Sequence, residues 1–423
     1  MTRVNANSVR RPDHLHRTRR KSQRSERGQA LLLLLLLVVL GLATGIFVFS
    51  NANNVSSAAA SVNADALALA QAKQALIGYV AMINTTRPGA FPCPDTDNDG
   101  SADLYSGTNC PGYVSGSNVY LGRLPWKTLR LPDLRDSSGE RLWYAVSRNF
   151  AMNPSCLPNC PDLTSDTLGQ LTVTGIAPTS GAVAIVFAPG NAQGAQVRDA
   201  ANKNTAANYL EGENANGNNA TFATAAASST FNDRLLAITN PDFIPEIEKF
   251  VARAMIVLLT QYRAATNVYP WADLSDGNSN ASGSSYYNRW RFPCGTALPT
   301  NWGSGGTPVL PPWLKNGCVS PVTGWTSVIY YAVSRNRLQA GGSQCTSCFD
   351  SKITVNGVDV DLLLITPGGD TGSPARGWSN SSFTTITGYF EDSANTNNND
   401  TFVAPSIALY PHPINHDRIF TIN

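Results

Sequence analysis

The stretch Leu142-Trp143-Tyr144-Ala145-Val146-Ser147-Arg148-Asn149 returns further along the chain as Ile329-Tyr330-Tyr331-Ala332-Val333-Ser334-Arg335-Asn336. It does not return alone. The run Tyr209 to Phe222 matches Tyr389 to Phe402 at six of fourteen ungapped positions, and Asn232-Asp233-Arg234-Leu235 reappears as His416-Asp417-Arg418-Ile419. The apolar segment Ala182 to Pro189 corresponds to Asp361 to Pro367, each followed by glycine. All these matches fall in the same order, which chance repetition of one short word does not produce. The chain therefore carries an internal duplication.

Cysteine spacing suggests the same register. Each copy has one cysteine after a proline (Cys93, Cys294), one further on (Cys110, Cys318), and a close pair after the repeated word (Cys156 and Cys160; Cys345 and Cys348). An even count in an exported chain reads as disulfides, and pairing neighbours gives Cys93–Cys110, Cys156–Cys160, Cys294–Cys318 and Cys345–Cys348. Four cysteines per copy permit three pairings, and a four-cysteine zinc site in each copy is the rival reading.

Each copy opens with a predicted helix. In the first, residues 64–83 place Leu67, Ala70, Gln74, Ile77 and Ala81 on one stripe. In the second, residues 246–264 place Ile247, Phe250, Val251, Ala254, Leu258 and Tyr262 at helical spacing, with Pro245 suited to the first turn. Pro/Gly-rich turns and short β-branched or aromatic runs follow each helix and predict antiparallel strands.

The net charge of +2 conceals an asymmetry. The first 27 residues hold nine basic side chains against two acids, while the remainder holds 22 basic against 27 acidic. Ala30 to Phe49 is an apolar run in which residues 31–37 are all leucine, and about 20 apolar residues suffice to cross a bilayer. A basic segment before such a run is expected to stay cytoplasmic, with the rest exported. These features predict a single-pass membrane protein with its N-terminus cytoplasmic.

This layout resembles type IV pilins and type II secretion pseudopilins. Arg27-Gly28-Gln29-Ala30 before the leucines looks like a prepilin processing site cut between Gly28 and Gln29, although Leu33 stands where ordinary prepilins carry glutamate. The helix ending at Tyr262 and leading to Tyr269-Pro270 resembles the pseudopilin pattern of a helix followed by a Tyr-Pro turn. The resemblance implies an α+β chain: a basic leader (1–28), a transmembrane helix (29–50) extended into a stalk, and two tandem helix-on-antiparallel-sheet domains (51–240, including the stalk, and 241–423). It implies a non-catalytic minor pilin or pseudopilin-like subunit, single-pass in the inner membrane, its heads periplasmic or on an extracellular filament. Its partners would be the inner membrane, other pilin or pseudopilin subunits and a prepilin peptidase, with no nucleic acid. A membrane-anchored adhesin or carbohydrate-binding surface protein is the alternative.

One motif carries metal chemistry. Asp95-Thr96-Asp97-Asn98-Asp99-Gly100-Ser101-Ala102-Asp103 fits a D-x-D-x-D-G calcium loop, in which oxygen donors at alternate positions converge on one hard cation and glycine permits the turn. Asp95, Asp97, Asp99 and Asp103 are its candidate ligands. The acidic pairs Glu211/Glu213 and Glu391/Asp392 are weaker candidates of the same kind. No P-loop or nucleophile motif is present, and His412 and His416 have no evident third metal ligand.

Overall fold

The computed structural model describes residues 59–81, 87–104, 109–151, 163, 167–272, 288–293, 302–315, 324–338, 352–366, 368, 390, 395, 401–404 and 417–423. Residues 64–423 form one compact unit; of the other, residues 1–63, only 59–63 are described.

The repeated words fold into the same element. Trp143–Ser147 is strand β2 and Tyr330–Val333 is β9; each leads into a 3-10 turn (Arg148–Phe150 and Arg335–Arg337). Around β2, strands β1 (Val119–Arg123), β5 (Ala184–Ala188) and β7 (Arg234–Ile238) form an antiparallel sheet in the order β1-β2-β5-β7. Around β9, strands β8 (Arg289–Arg291), β12 (Leu362–Thr366) and β14 (Arg418–Ile422) repeat it as β8-β9-β12-β14.

Every residue of β2, β5, β9 and β12 is buried, because each sheet is covered on both faces. Alternation along β2 sends Tyr144 and Val146 into a core shared with the helices, and Trp143 and Ala145 into a separate core behind the sheet. The rear cover is a second, three-stranded sheet: β3 (Leu171–Gly175), β4 (Thr179–Ala182) and β6 (Thr221–Thr224) in the first half. Strands β10 (Ile353–Val355), β11 (Val358–Val360) and β13 (Thr401–Phe402) serve the second. Each half is thus helix, four-stranded sheet and three-stranded sheet in layers.

Three expectations are corrected here. The heads are not purely antiparallel, since β3 pairs with β6, and β10 with β13, in parallel. A parallel pair needs a long crossover, and in the first half β4, β5 and the 189–220 segment supply it. Second, the transmembrane helix of the expected fold and the inner-membrane location built on it are overturned: among the described residues no helix is long and apolar enough to cross a membrane. Helix α1 (residues 59–81) is interrupted by Asn63, Gln71 and Gln74, and helix α2 (Asn240–Thr266) carries six charged side chains from Asp242 to Arg263. The run 30–49 and the Gly28/Gln29 site lie outside the described residues.

Third, the buried stripe of α1 is Asp65, Ala68, Leu69, Ala72, Leu76, Tyr79 and Val80, with Ile77 beside it. Leu67 is 61% exposed, and Ala70 and Gln74 face outward. In α2, Ile247, Val251 and Tyr262 are buried as expected, while Phe250, Ala254 and Leu258 sit at the margin. The helix starts a turn and a half before the expected point, so Pro245 lies inside it and Pro241 takes the first-turn position.

The halves do not have separate helix-side cores. The start of α2 reaches the first copy, where Phe243 meets Phe91 and Phe150 edge-on at ring centroid distances of 5.3 and 5.9 Å, while Pro245 and Glu248 already bond to Arg418, Thr366 and Gly368 of the second. Its last turns serve the second copy, where Tyr262 lies 4.9 Å from Trp302. Lys73 of α1 reaches Asp242 of α2 at 2.7 Å, and buried apolar side chains from both copies form one continuous cluster.

Candidate metal centre

The acidic loop is fastened at both ends. Asp95 exchanges two backbone hydrogen bonds with Arg123 at the end of β1 (3.0 and 2.7 Å), and a Cys93–Cys110 disulfide closes the segment. The expected Cys93–Cys110 bridge is present. Cys156, Cys160, Cys294, Cys318, Cys345 and Cys348 lie outside the described residues.

The structure corrects the cysteine register. Phe91 bridges Ala151 in parallel and Tyr269 bridges Leu338 in the same way. The hydroxyl of Tyr144 donates to the Pro92 carbonyl at 3.2 Å, and that of Tyr331 to the Pro270 carbonyl at 2.7 Å. Phe91-Pro92 therefore occupies the place of Tyr269-Pro270, and the counterpart of Cys93 is Trp271, not Cys294.

Within the loop, Asp95 is buried and its carboxylate accepts the backbone N–H groups of Asn98, Asp99 and Gly100. Asp97 accepts the Asp99 N–H (3.0 Å), and Asp99 accepts that of Ser101 (2.6 Å). This wrapping requires positive φ at Asn98 (66°) and Gly100 (92°). Gly100 is also pressed against Trp126: a Cβ there would sit 2.5 Å from the indole nitrogen.

Carboxylate oxygens of Asp95, Asp97 and Asp99 all come within 4.8 Å of one another, an all-oxygen set of the kind a hard divalent cation takes. Asp103 is not part of that group. Its carboxylate is engaged by the Thr96 N–H (2.9 Å) and the Thr96 hydroxyl, which turns it into a clasp across the loop. Burial pushes the Asp95 carboxyl up, against the backbone N–H bonds of Gly100 and Asn98 that pull it down, and Asp97 nearby adds to the rise. Asp99 is held below the usual carboxylate range by the Ser101 N–H and hydroxyl.

Three basic side chains that no spacing connects with the loop donate to its backbone. Lys203 reaches the Asp97 carbonyl at 2.9 Å, Arg141 the Asn98 carbonyl at 2.8 Å, and Lys127 the Asp99 carbonyl. They bring positive charge to the acidic loop while donating to its carbonyls and not to its carboxylates. Lys203 lies 106 positions from Asp97, so no local spacing announces the contact.

Behind the loop, Arg123 is buried between two aromatic faces, 4.3 Å from the Trp143 ring and 3.9 Å from Tyr209. It donates to the carbonyls of Arg141 and Lys203 at 2.9 Å each, and burial lowers its pKa to about 10. Arg291 holds the matching register position in the second half, opposite Tyr330 as Arg123 is opposite Trp143.

Glu211 serves the fold instead of a cation. One oxygen accepts the Gln196 amide (2.9 Å) and the other the N–H groups of Asn232 and Asp233 (3.0 and 3.1 Å). Compared with models of known protein families, with curated proteins and with solved structures, the chain matches none.

Proposed function

We propose that this chain is a minor pilin-like or pseudopilin-like subunit of a type IV pilus or type II secretion assembly. It acts without catalysis, by joining other pilin or pseudopilin subunits, and calcium held by Asp95, Asp97 and Asp99 orders its first head. The observation that carries this reading is the helix laid on a four-stranded antiparallel sheet, present twice. The basic segment ending at Arg27-Gly28-Gln29 adds to it, since such a leader is what a prepilin peptidase would remove.

The test is biochemical. Filaments sheared from cells producing the chain should contain it beside the major subunit, with Gln29 as its first residue. Deleting the prepilin peptidase should leave Met1 in place and remove the chain from that fraction. A chain that keeps Met1 in normal cells and never accompanies another pilin would sink the reading.

A further inference from the structure

Asp233, the first residue before β7, and Glu211, at the start of the 3-10 turn Gly212–Ala215, are both buried, at 6% and 8% exposure. Glu211 Oε2 accepts the Asp233 N–H at 3.1 Å while Asp233 Oδ2 accepts the Glu211 N–H, and these reciprocal bonds bring the two carboxyl groups together. Two carboxylates cannot share such a place, out of water, while both are charged. Asp233 Oδ2 already accepts the Glu211 N–H (2.8 Å) and the Asn214 side-chain amide (3.0 Å), whereas no donor reaches the buried Oδ1.

We propose that Asp233 and Glu211 share one proton, carried on Asp233 Oδ1 and donated to the Glu211 carboxylate, and that this proton latches segment 206–224 onto β7. Proton loss leaves two buried charges facing each other and releases the segment. Among the described residues, the groups around Asp233 supply no opposing charge. Asn214 is neutral, Arg234 beside it turns to Asp65 at 2.7 Å, and Arg198 reaches Glu211 only through the Gln196 amide.

What the latch holds is specific. Asn214, wholly buried, bonds both ways to the backbone of Ala223 in β6 (3.1 and 2.8 Å). β6 is an outer strand of its sheet, paired with β3, and Asn214 supports its other side. Opening the pair therefore loosens the layer that covers Trp143 and Phe187. The second half preserves the parts. Asn395 bonds both ways to Val403 (3.1 and 2.9 Å), and Asp417 is fully buried where Asp233 stands.

Burial beside Glu211 raises the Asp233 pKa to about 8. The unfolded chain releases the same proton near pH 4. The folded state thus binds more protons between those values, so the latch contributes fully below about pH 4 and is lost as pH rises through about 8.

Hydrogen exchange of the full chain, followed by mass spectrometry with chelator present, tests this at about pH 6 and about pH 9. After correction for intrinsic exchange, peptides within 206–224 should lose protection by up to about tenfold per pH unit from about pH 6 to about pH 8 and level off above that, while β2 and β5 stay protected. Asp233→Asn keeps an acceptor for the Glu211 N–H and offers an N–H to the Glu211 carboxylate, so protection should persist and become independent of pH. Loss of protection in this variant with the wild-type pH profile overturns the proposal. Should Asp233→Asn fail to fold, Glu211→Gln decides: removing the facing charge must move the transition to lower pH, and an unmoved transition overturns the proposal equally.

Discussion

Asp97 and Asp99 differ from Asp95 in a way that assigns them different work. Asp95 is buried and spends its oxygens on three backbone amides, so it shapes the loop as well as offering a ligand. Asp97 and Asp99 are exposed, and their charge is what a cation would neutralise. Asp97→Ala with Asp99→Ala should therefore abolish any rise in melting temperature on adding calcium, with the metal-free fold intact. In the wild type that rise should reflect about 2.7 kcal/mol at a hundredfold excess over Kd. Asp103→Ala should lower stability with and without calcium alike, because it removes the clasp on Thr96. Scanning calorimetry with calcium and with chelator distinguishes these outcomes, and identical wild-type curves would remove calcium from the account. The alternate spacing of Asp95, Asp97 and Asp99 was legible because neighbouring turn residues are brought together by the turn itself. Asp103 fits the same pattern yet is taken by Thr96, a competition that spacing does not encode. Lys127, Arg141 and Lys203 were invisible for a different reason: tertiary contacts bring them there.

Helix α2 is set at its start by one side chain with two tasks. Asp242 accepts the backbone N–H (2.7 Å) and the hydroxyl (3.1 Å) of the N-cap residue Thr239, and its other oxygen meets Lys73 of α1. Asp242→Ala should cost about 1–2 kcal/mol in urea denaturation. Asp242→Asn should recover part of that, since its amide oxygen still accepts at the helix start while the charge is gone. Equal losses in the two variants would show that the ion pair, not the cap, matters. The α2 stripe could be read in part: Ile247, Val251 and Tyr262 are on the buried face, while Phe250, Ala254 and Leu258 lie at its edge and the charged Glu248 is buried with the core. The α1 stripe could not. Alanine occurs on every side of that helix, so Leu67 and Leu69 compete on equal terms, and packing against the sheet chooses Leu69. The repeated Tyr-Ala-Val-Ser-Arg-Asn word was the most legible element of all: a strand buried on both faces has few substitutes at each position. Its serine shows why the word extends past the strand. Ser147 and Ser334 each accept a backbone N–H from the three-stranded side of their half, Gln170 at 2.8 Å and Ile353 at 3.3 Å.

Across the whole molecule, duplication and independence turn out to be separate matters. The halves repeat each other in strand order and in register, yet α2 belongs to both. Phe243 sits wholly buried against Phe91 and Phe150, so Phe243→Ala should destabilise by about 3–5 kcal/mol. Because the cluster is continuous, the loss should displace a single melting transition of the full chain, followed together by fluorescence and circular dichroism. Two separated transitions, only one of them shifted, would contradict the shared core. Nothing in the sequence marks Phe243 as a contact between repeats, since a helix stripe looks the same whichever copy it faces. The shared helix also has a mechanical meaning. Tension drawn along residues 64–423 cannot peel one repeat from the other without pulling α2 out of the core that both enclose. The two repeats then do not act as links that extend in series, each giving way at its own force. They hold as one clamp, and residues 64–423 should keep their length up to the force at which the whole clamp fails, in a single rupture under single-molecule pulling.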